Sequence, residues 1–257
     1  MQELHPHKLF DIANNYLGWG DPGENGPGIW CIGIEEGTEW GREEPKKHPE
    51  ELLLSGLDRG RRQIARLYQR TNGTWYESAQ WDEYCPIFGV IASITTALSS
   101  SGLDLERYKK EKLWTKHSGV FHTNLYPLGK REDTLKAWPP YYKDLFGYGE
   151  NDWDVYQEKV KDRLVQIQKR WRQYKPLATV CFGTSRDYAT KFEFLFFDGQ
   201  APPLMKHPTH AIYYNEEKRF LICQHPSSPQ WNRDGSNKEK LQIIQNKLKQ
   251  EWQIKLP

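Results

Sequence analysis

Four short apolar runs punctuate this chain, and each gives way at once to polar or turn residues. They are Ile29–Ile34, Gly119–His122 leading into Thr123-Asn124, Ala178–Phe182 and Phe220–Cys223. Short runs rich in β-branched and aromatic residues suit strands buried on both faces. The stretches between them carry helical periodicity instead. Leu53, Leu57, Ile64 and Leu67 share one face of a segment whose other face holds Arg59, Arg62, Arg66 and Arg70. Pro86 is placed to open a helix with Ile87, Val90, Ile91, Ile94 and Leu98 on one stripe, stopping at Ser99-Ser100-Ser101-Gly102. Tyr156, Val160, Leu164, Ile167, Trp171 and Tyr174 mark a longer helix ended by Pro176, and Leu241, Ile244, Leu248 and Trp252 mark a last one. Strands alternating with helices predict an α/β fold around a largely parallel sheet. Ala211–Tyr214 and Arg219–Cys223 flank Asn215-Glu216-Glu217-Lys218 and would add an antiparallel hairpin.

At 257 residues the chain is long enough to bury a core without disulfides or metals, and a single domain over 1–257 is expected. Gly41–Glu50 and Pro127–Asp154 look like loop insertions, and long loops in compact domains tend to carry function. Aromatic residues reach 14 % of the chain, which excludes a disordered composition. No stretch approaches the roughly 18 apolar residues of a spanning helix, and the first residues lack a basic-then-apolar leader pattern. A cytoplasmic protein with no membrane contact and no obligate protein partner is the expectation. Net charge is only +2, so any contact with nucleic acid must come from local clusters. Three such clusters are candidates: Arg59, Arg61, Arg62 and Arg66; Lys109, Lys110, Lys112 and Lys116; and Lys169, Arg170 and Arg172. Runs of this kind are more often solvated helix faces. Cys31, Cys85, Cys181 and Cys223 form no C-x-x-C pair, so neither a zinc ribbon nor an iron–sulfur cluster has local support. Cys31, Cys181 and Cys223 lie inside apolar runs, where buried thiols are expected.

Ligands of open α/β sheets bind at the carboxyl ends of the strands. The first run leads into Gly33-Ile34-Glu35-Glu36-Gly37-Thr38-Glu39, and the second into Asn124-Leu125-Tyr126-Pro127. The third leads into Gly183-Thr184-Ser185-Arg186, and the fourth into His225-Pro226-Ser227-Ser228-Pro229-Gln230-Trp231. A carboxylate, an amide, a small polar turn and a histidine would thus gather on one rim.

Those residues resemble the motifs of the uracil-DNA glycosylase superfamily. Gly33-Ile34-Glu35-Glu36-Gly37 is loosely similar to its first motif, Asn124 to its base-reading asparagine, and His225-Pro226-Ser227 to its closing H-P-S motif. The order is right, and the matches span most of the chain. The resemblance implies a three-layer α/β/α sandwich with a short, mainly parallel central sheet. Two departures stand out. Glu36 occupies a position where the family usually has proline, and Gly37 one where the strict uracil enzymes carry a bulky tyrosine.

Breaking an N-glycosidic bond develops positive charge on the sugar and negative charge on the departing base. In the scheme the resemblance implies, His225 donates to the base oxygen as charge builds. Glu35, or alternatively Glu36, stabilises the sugar cation and holds the attacking water. Asn124 offers the donor and acceptor needed to read a pyrimidine edge. Trp40 would stack on the flipped base and Tyr126 flank it. Ser227 and Ser228 would bind flanking phosphates, and Gln230 or Trp231 would fill the hole left in the duplex. The scheme requires no metal, cofactor or covalent lysine intermediate.

The expectation is therefore a monofunctional DNA glycosylase, acting on DNA as its partner. Its target would be uracil or, preferred from Gly37, the Glu35-Glu36 pair and the aromatic-rich insertion, a bulky modified cytosine. Some enzymes resembling this superfamily remove such bases from phage DNA in bacterial antiviral defence. The alternative is a catalytically silent DNA-binding protein on the same fold. A Ser/His hydrolase built on Ser227 and His225 is weaker, because no G-x-S-x-G elbow precedes the serine.

Overall fold

The computed structural model describes residues 14, 18–24, 26–34, 86–115, 117–127, 147, 152–183, 191–193, 195–197, 204–226, 228–232 and 236–257. Glu35, Glu36, Gly37, Trp40, Cys85, Ser227, the turn 184–186, the arginine segment 53–70 and most of both expected insertions lie outside them. The elements in chain order are β1 (Trp19–Gly20), β2 (Ile29–Gly33), α1 (Pro86–Leu98), α2 (Leu105–Glu111), β3 (Val120–Asn124), α3 (Trp153–Tyr174) and β4 (Ala178–Phe182). Then come β5 (Met205–Lys206), β6 (Ile212–Asn215), β7 (Phe220–Cys223), α4 (Pro229–Asn232), α5 (Ser236–Asn246) and a π-helical turn, Lys247–Glu251. The described residues divide between two compact units. Residues 14, 124–127, 147 and 152–167 belong to one; the described residues of 18–34, 86–123 and 168–257 belong to the other.

The second unit is built on one mixed sheet of seven strands in the order β1-β3-β2-β4-β7-β6-β5. β2, β4 and β7 are parallel, with Ile32 opposite Cys181 and Cys181 opposite Ile222. β1 on β3, β6 on β7 and β5 on β6 are antiparallel. The protein is therefore of the α/β class. Every residue of β2, β3, β4 and β7 is buried, which is why these strands read as unbroken apolar runs rather than alternating ones. The expected hairpin is present: Asn215 pairs with Phe220, and the Asn215 side chain accepts from the Lys218 amide at 2.8 Å to set the turn. Glu216 in that turn accepts from Lys247 at 2.9 Å and from the Trp252 indole, joining the hairpin to the π-helical turn.

Two glycines are required by close approach. A Cβ on Gly28 would lie 2.0 Å from the Gly119 carbonyl, where the chain enters β2 and β3. One on Gly183, just past β4, would meet Ile34 at 2.1 Å, and its φ of +144° already lies outside ordinary side-chain territory.

α1 starts and stops where its pattern predicts. Ile87, Ile91, Ile94 and Leu98 are buried along one stripe, and the hydroxyls of Ser93, Thr95 and Thr96 donate back to carbonyls one turn earlier. Its last carbonyl, on Leu98, accepts from the Leu256 amide at 2.9 Å. α3 begins at Trp153, so the final two residues assigned to the 127–154 insertion are its first turn instead. Cys31, Cys181 and Cys223 are unpaired, fully buried thiols on three adjacent strands, and burial pushes all three up from their ordinary ionisation range. Among the described residues no helix is long and apolar enough to cross a membrane.

Among the described residues, many aromatic side chains fill the core. Trp30, Trp114, Tyr108, Tyr156, Phe182, Phe192 and Phe220 are among the largest fully buried side chains. Trp30 packs on Phe121 with ring centroids 4.5 Å apart, while its indole donates to the Pro22 carbonyl at 3.0 Å.

Candidate functional site

In the first unit the candidate residue is Asn124, which closes β3 and is 5 % exposed. Carbonyls at a strand end leave the ladder and need donors from elsewhere. Arg163 of α3 supplies them: Nη2 donates to the Asn124 carbonyl at 2.8 Å, and Nε lies 3.2 Å from both the Asn124 and Leu125 carbonyls. Nη1 reaches the Asn14 carbonyl at 3.0 Å, and the Asn14 amide in turn donates to the Lys159 carbonyl at 3.0 Å. Tyr126, expected to flank a flipped base, is 2 % exposed and stacks on Tyr156 with centroids 6.1 Å apart. Packing absorbs its ring.

In the second unit the candidate is His225, two residues beyond β7. The Cys223 carbonyl accepts from the Gly183 amide at 2.7 Å, which carries the β4–β7 pairing past the strand ends. The His225 carbonyl then accepts from the Ser228 amide at 2.9 Å. Ser228 caps α4: its Oγ accepts from the Trp231 amide at 3.2 Å, and Pro229 takes the first helical position. This cap uses the Ser228 hydroxyl oxygen as an acceptor.

Trp231, expected as a possible wedge, is a core residue instead. It is 3 % exposed, and the Lys240 ammonium sits 5.8 Å from its ring centroid. Lys240 also donates to the Gln230 carbonyl and, at 3.2 Å, to that of Trp231. A ring held this way belongs to the core of the unit. Gln230, the other expected wedge residue, is exposed.

His225 is partly buried, and loss of hydration holds its imidazole down to about 4, so it is neutral at pH 7. Its electrostatic neighbour is His122 in β3, a residue that in the sequence looks like no more than part of an apolar run. His122 is 1 % exposed, and burial, reinforced by His225, pushes it down to about 3. Its ring lies 5.5 Å from Phe88, edge-on, and 5.7 Å from Trp114. The second unit thus holds two neutral imidazoles, one enclosed by aromatic rings and one at the carboxyl end of a parallel strand. A neutral imidazole offers one donor and one acceptor nitrogen. The signal that could have found His122 is a histidine inside Val120-Phe121-His122-Thr123-Asn124, on the same strand face as Asn124.

On α2, Lys109 of the lysine cluster pairs with Glu106 at 2.8 Å, and the neighbouring Arg107 with Glu111 at 3.0 Å. These are exposed helix-face pairs. A hollow of about 450 Å³ among Asp21, Lys112, His117 and Lys255 opens at the other edge of the sheet, where β2 and β3 begin; its lining includes Lys112 of the second basic cluster but neither Asn124 nor any residue of the His225–Trp231 loop. Among the described residues no group of three or more His, Cys, Asp or Glu could hold a metal ion. Compared with known proteins, the chain matches no family model and no curated relative.

Proposed function

We propose that this protein is a monofunctional DNA glycosylase that hydrolyses the N-glycosidic bond of a flipped pyrimidine and leaves an abasic site. The observation that carries the reading is His225: a neutral imidazole, in a His-Pro-Ser loop, at the carboxyl end of a parallel strand. An imidazole held neutral at pH 7 donates a hydrogen bond to an oxygen gaining charge without first giving up a proton. That is the electrostatic stabilisation a departing base anion needs. Asn124, with its backbone clamped by Arg163, is suited to read the base edge. The parallel run β2-β4-β7 within the mixed sheet supports a three-layer sandwich of the uracil-DNA glycosylase type. Glu35 or Glu36 supplies the carboxylate, and Gln230 is the wedge. The substrate is uracil or, as Gly37 and the 127–154 segment favour, a bulky modified cytosine of phage DNA, which would give the protein a role in antiviral defence.

The test is abasic-site formation, read on gels after alkali, with uracil-containing duplex and with glucosylated phage DNA as separate substrates. Release of either base by the wild type, and its loss in His225→Ala, is the expected result. Retention of both bases while DNA is still bound would replace the glycosylase with a silent DNA-binding protein.

A further inference from the structure

The buried stripe of α3 begins Tyr156, Val160, Arg163, Ile167. Helical periodicity puts an aliphatic residue at such a position, and arginine is almost never buried there unless something holds it. Arg163 is 3 % exposed, and the hydrogen bonds from its guanidinium to Asn124, Leu125 and Asn14 all end on backbone carbonyls. Two of those carbonyls belong to the consecutive residues Asn124 and Leu125, where the chain leaves β3.

We infer that Arg163 is the positioning residue of the base-reading asparagine: by holding the Asn124 carbonyl through two nitrogens, it fixes the peptide plane from which the Asn124 amide projects. The role rests on Asn124 reading the base of a glycosylase substrate. A side chain's direction follows its backbone, so a rotation of the Asn124–Leu125 peptide would swing the amide away from the base edge. One flat, five-donor group reaches both carbonyls at once, and its shape resists that rotation. A lysine at the same place offers a compact ammonium whose donors all diverge from one atom, so it could reach the carbonyls but lacks the planar fork that orients the peptide plane. The third contact, to Asn14, braces the guanidinium itself, because Asn14 is anchored in turn to Lys159 on the same helix.

The experiment measures single-turnover base release by the wild type, Arg163→Lys, Arg163→Ala, Asn124→Ala and the Asn124→Ala/Arg163→Ala double variant, using the substrate the wild type cleaves. Thermal midpoints are recorded for each. A misplacement of about 1 Å at a reacting site can cost on the order of 100-fold, and Arg163→Ala is expected to lose about that much. Arg163→Lys, which keeps the charge and the aliphatic stem, recovers part of the rate and remains informative if the alanine variant does not fold. Coupling is the decisive readout. In the Asn124→Ala background, removing Arg163 should slow release by no more than about twofold, because residues that act through one another are strongly non-additive. Additive losses, or an Arg163→Lys enzyme indistinguishable from wild type, would overturn the role while leaving the glycosylase intact. A wild type that releases no base overturns the glycosylase and the role together.

Discussion

Past β3, the guanidinium of Arg163 takes the carbonyls of Asn124 and Leu125; past β7, the ammonium of Lys240 takes those of Gln230 and Trp231. Each cation is nearly buried, at 3 % and 5 % exposure, and each bonds consecutive backbone carbonyls in the segment that follows a strand. They differ in where they grip. The arginine acts on the candidate residue itself. The lysine acts five and six residues beyond His225, on the helix that closes the loop, and leaves His225 to be placed by the β7 exit and the Ser228 amide. The first clamp sets an amide's aim, whereas the second sets the loop's closure and encloses Trp231. A planar fork suits the first task and a point charge suffices for the second.

Breaking the chemistry gives the largest expected effect. His225→Ala removes the proposed donor and should lower base release by about 10²–10³, with the denaturation midpoint nearly unchanged. A folded variant that retains wild-type rate would shift the chemistry away from the β7 exit. Lys240→Met comes next. It leaves two loop carbonyls without this donor and should cost about 1–3 kcal/mol in urea unfolding. The ratio of release rates between two substrate bases should stay as in the wild type, whereas Arg163→Lys should change it. A shift in that ratio for Lys240→Met would show that both clamps do one job. Ser228→Ala removes the α4 cap and should cost about 1 kcal/mol of stability, read from the same urea curves.

The smallest effect at neutral pH concerns His122. Its folded value near 3 and that of His225 near 4 lie below the ordinary 6.5, so between these limits the unfolded chain binds more protons than the folded one. Stability is therefore full above about pH 6.5 and declines as pH falls toward 3. His122→Gln should flatten that decline and leave the midpoint at pH 8 nearly where its packing change alone puts it. An unchanged acid profile would remove His122 as a source of the acid sensitivity.

The elements that carry the sheet were legible because their signals are local. β4 and β7 match their apolar runs, and α1 ends at the Ser99–Gly102 stop. The two-residue strands β1 and β5 are too short to show any periodicity and exist only through pairing with β3 and β6. α2 escaped although Asp104 caps it, accepting from the Arg107 amide at 2.9 Å, because seven mostly charged residues show little apolar stripe. The strand-end placement of Asn124 and His225 was legible from the ends of two apolar runs. Arg163 and Lys240 were not, since a cation on a helix reads as solvated until the carbonyls it meets are known. Trp231 and Tyr126 mislead for the converse reason: an aromatic ring in a functional loop and one in the core look alike in sequence. What separates them is the ring's neighbours, Lys240 in one case and Tyr156 in the other.

The three thiols buried in β2, β4 and β7 offer a clock. Cys31, Cys181 and Cys223 are all 0 % exposed, so a thiol reagent in solution modifies them only through transient openings of the sheet. Their labelling rates, resolved site by site by mass spectrometry, report whether the three parallel strands separate together or one at a time. Because β2, β4 and β7 pair side by side, opening of the sheet as one unit would give one common rate for the three cysteines, and strand-by-strand opening three different ones.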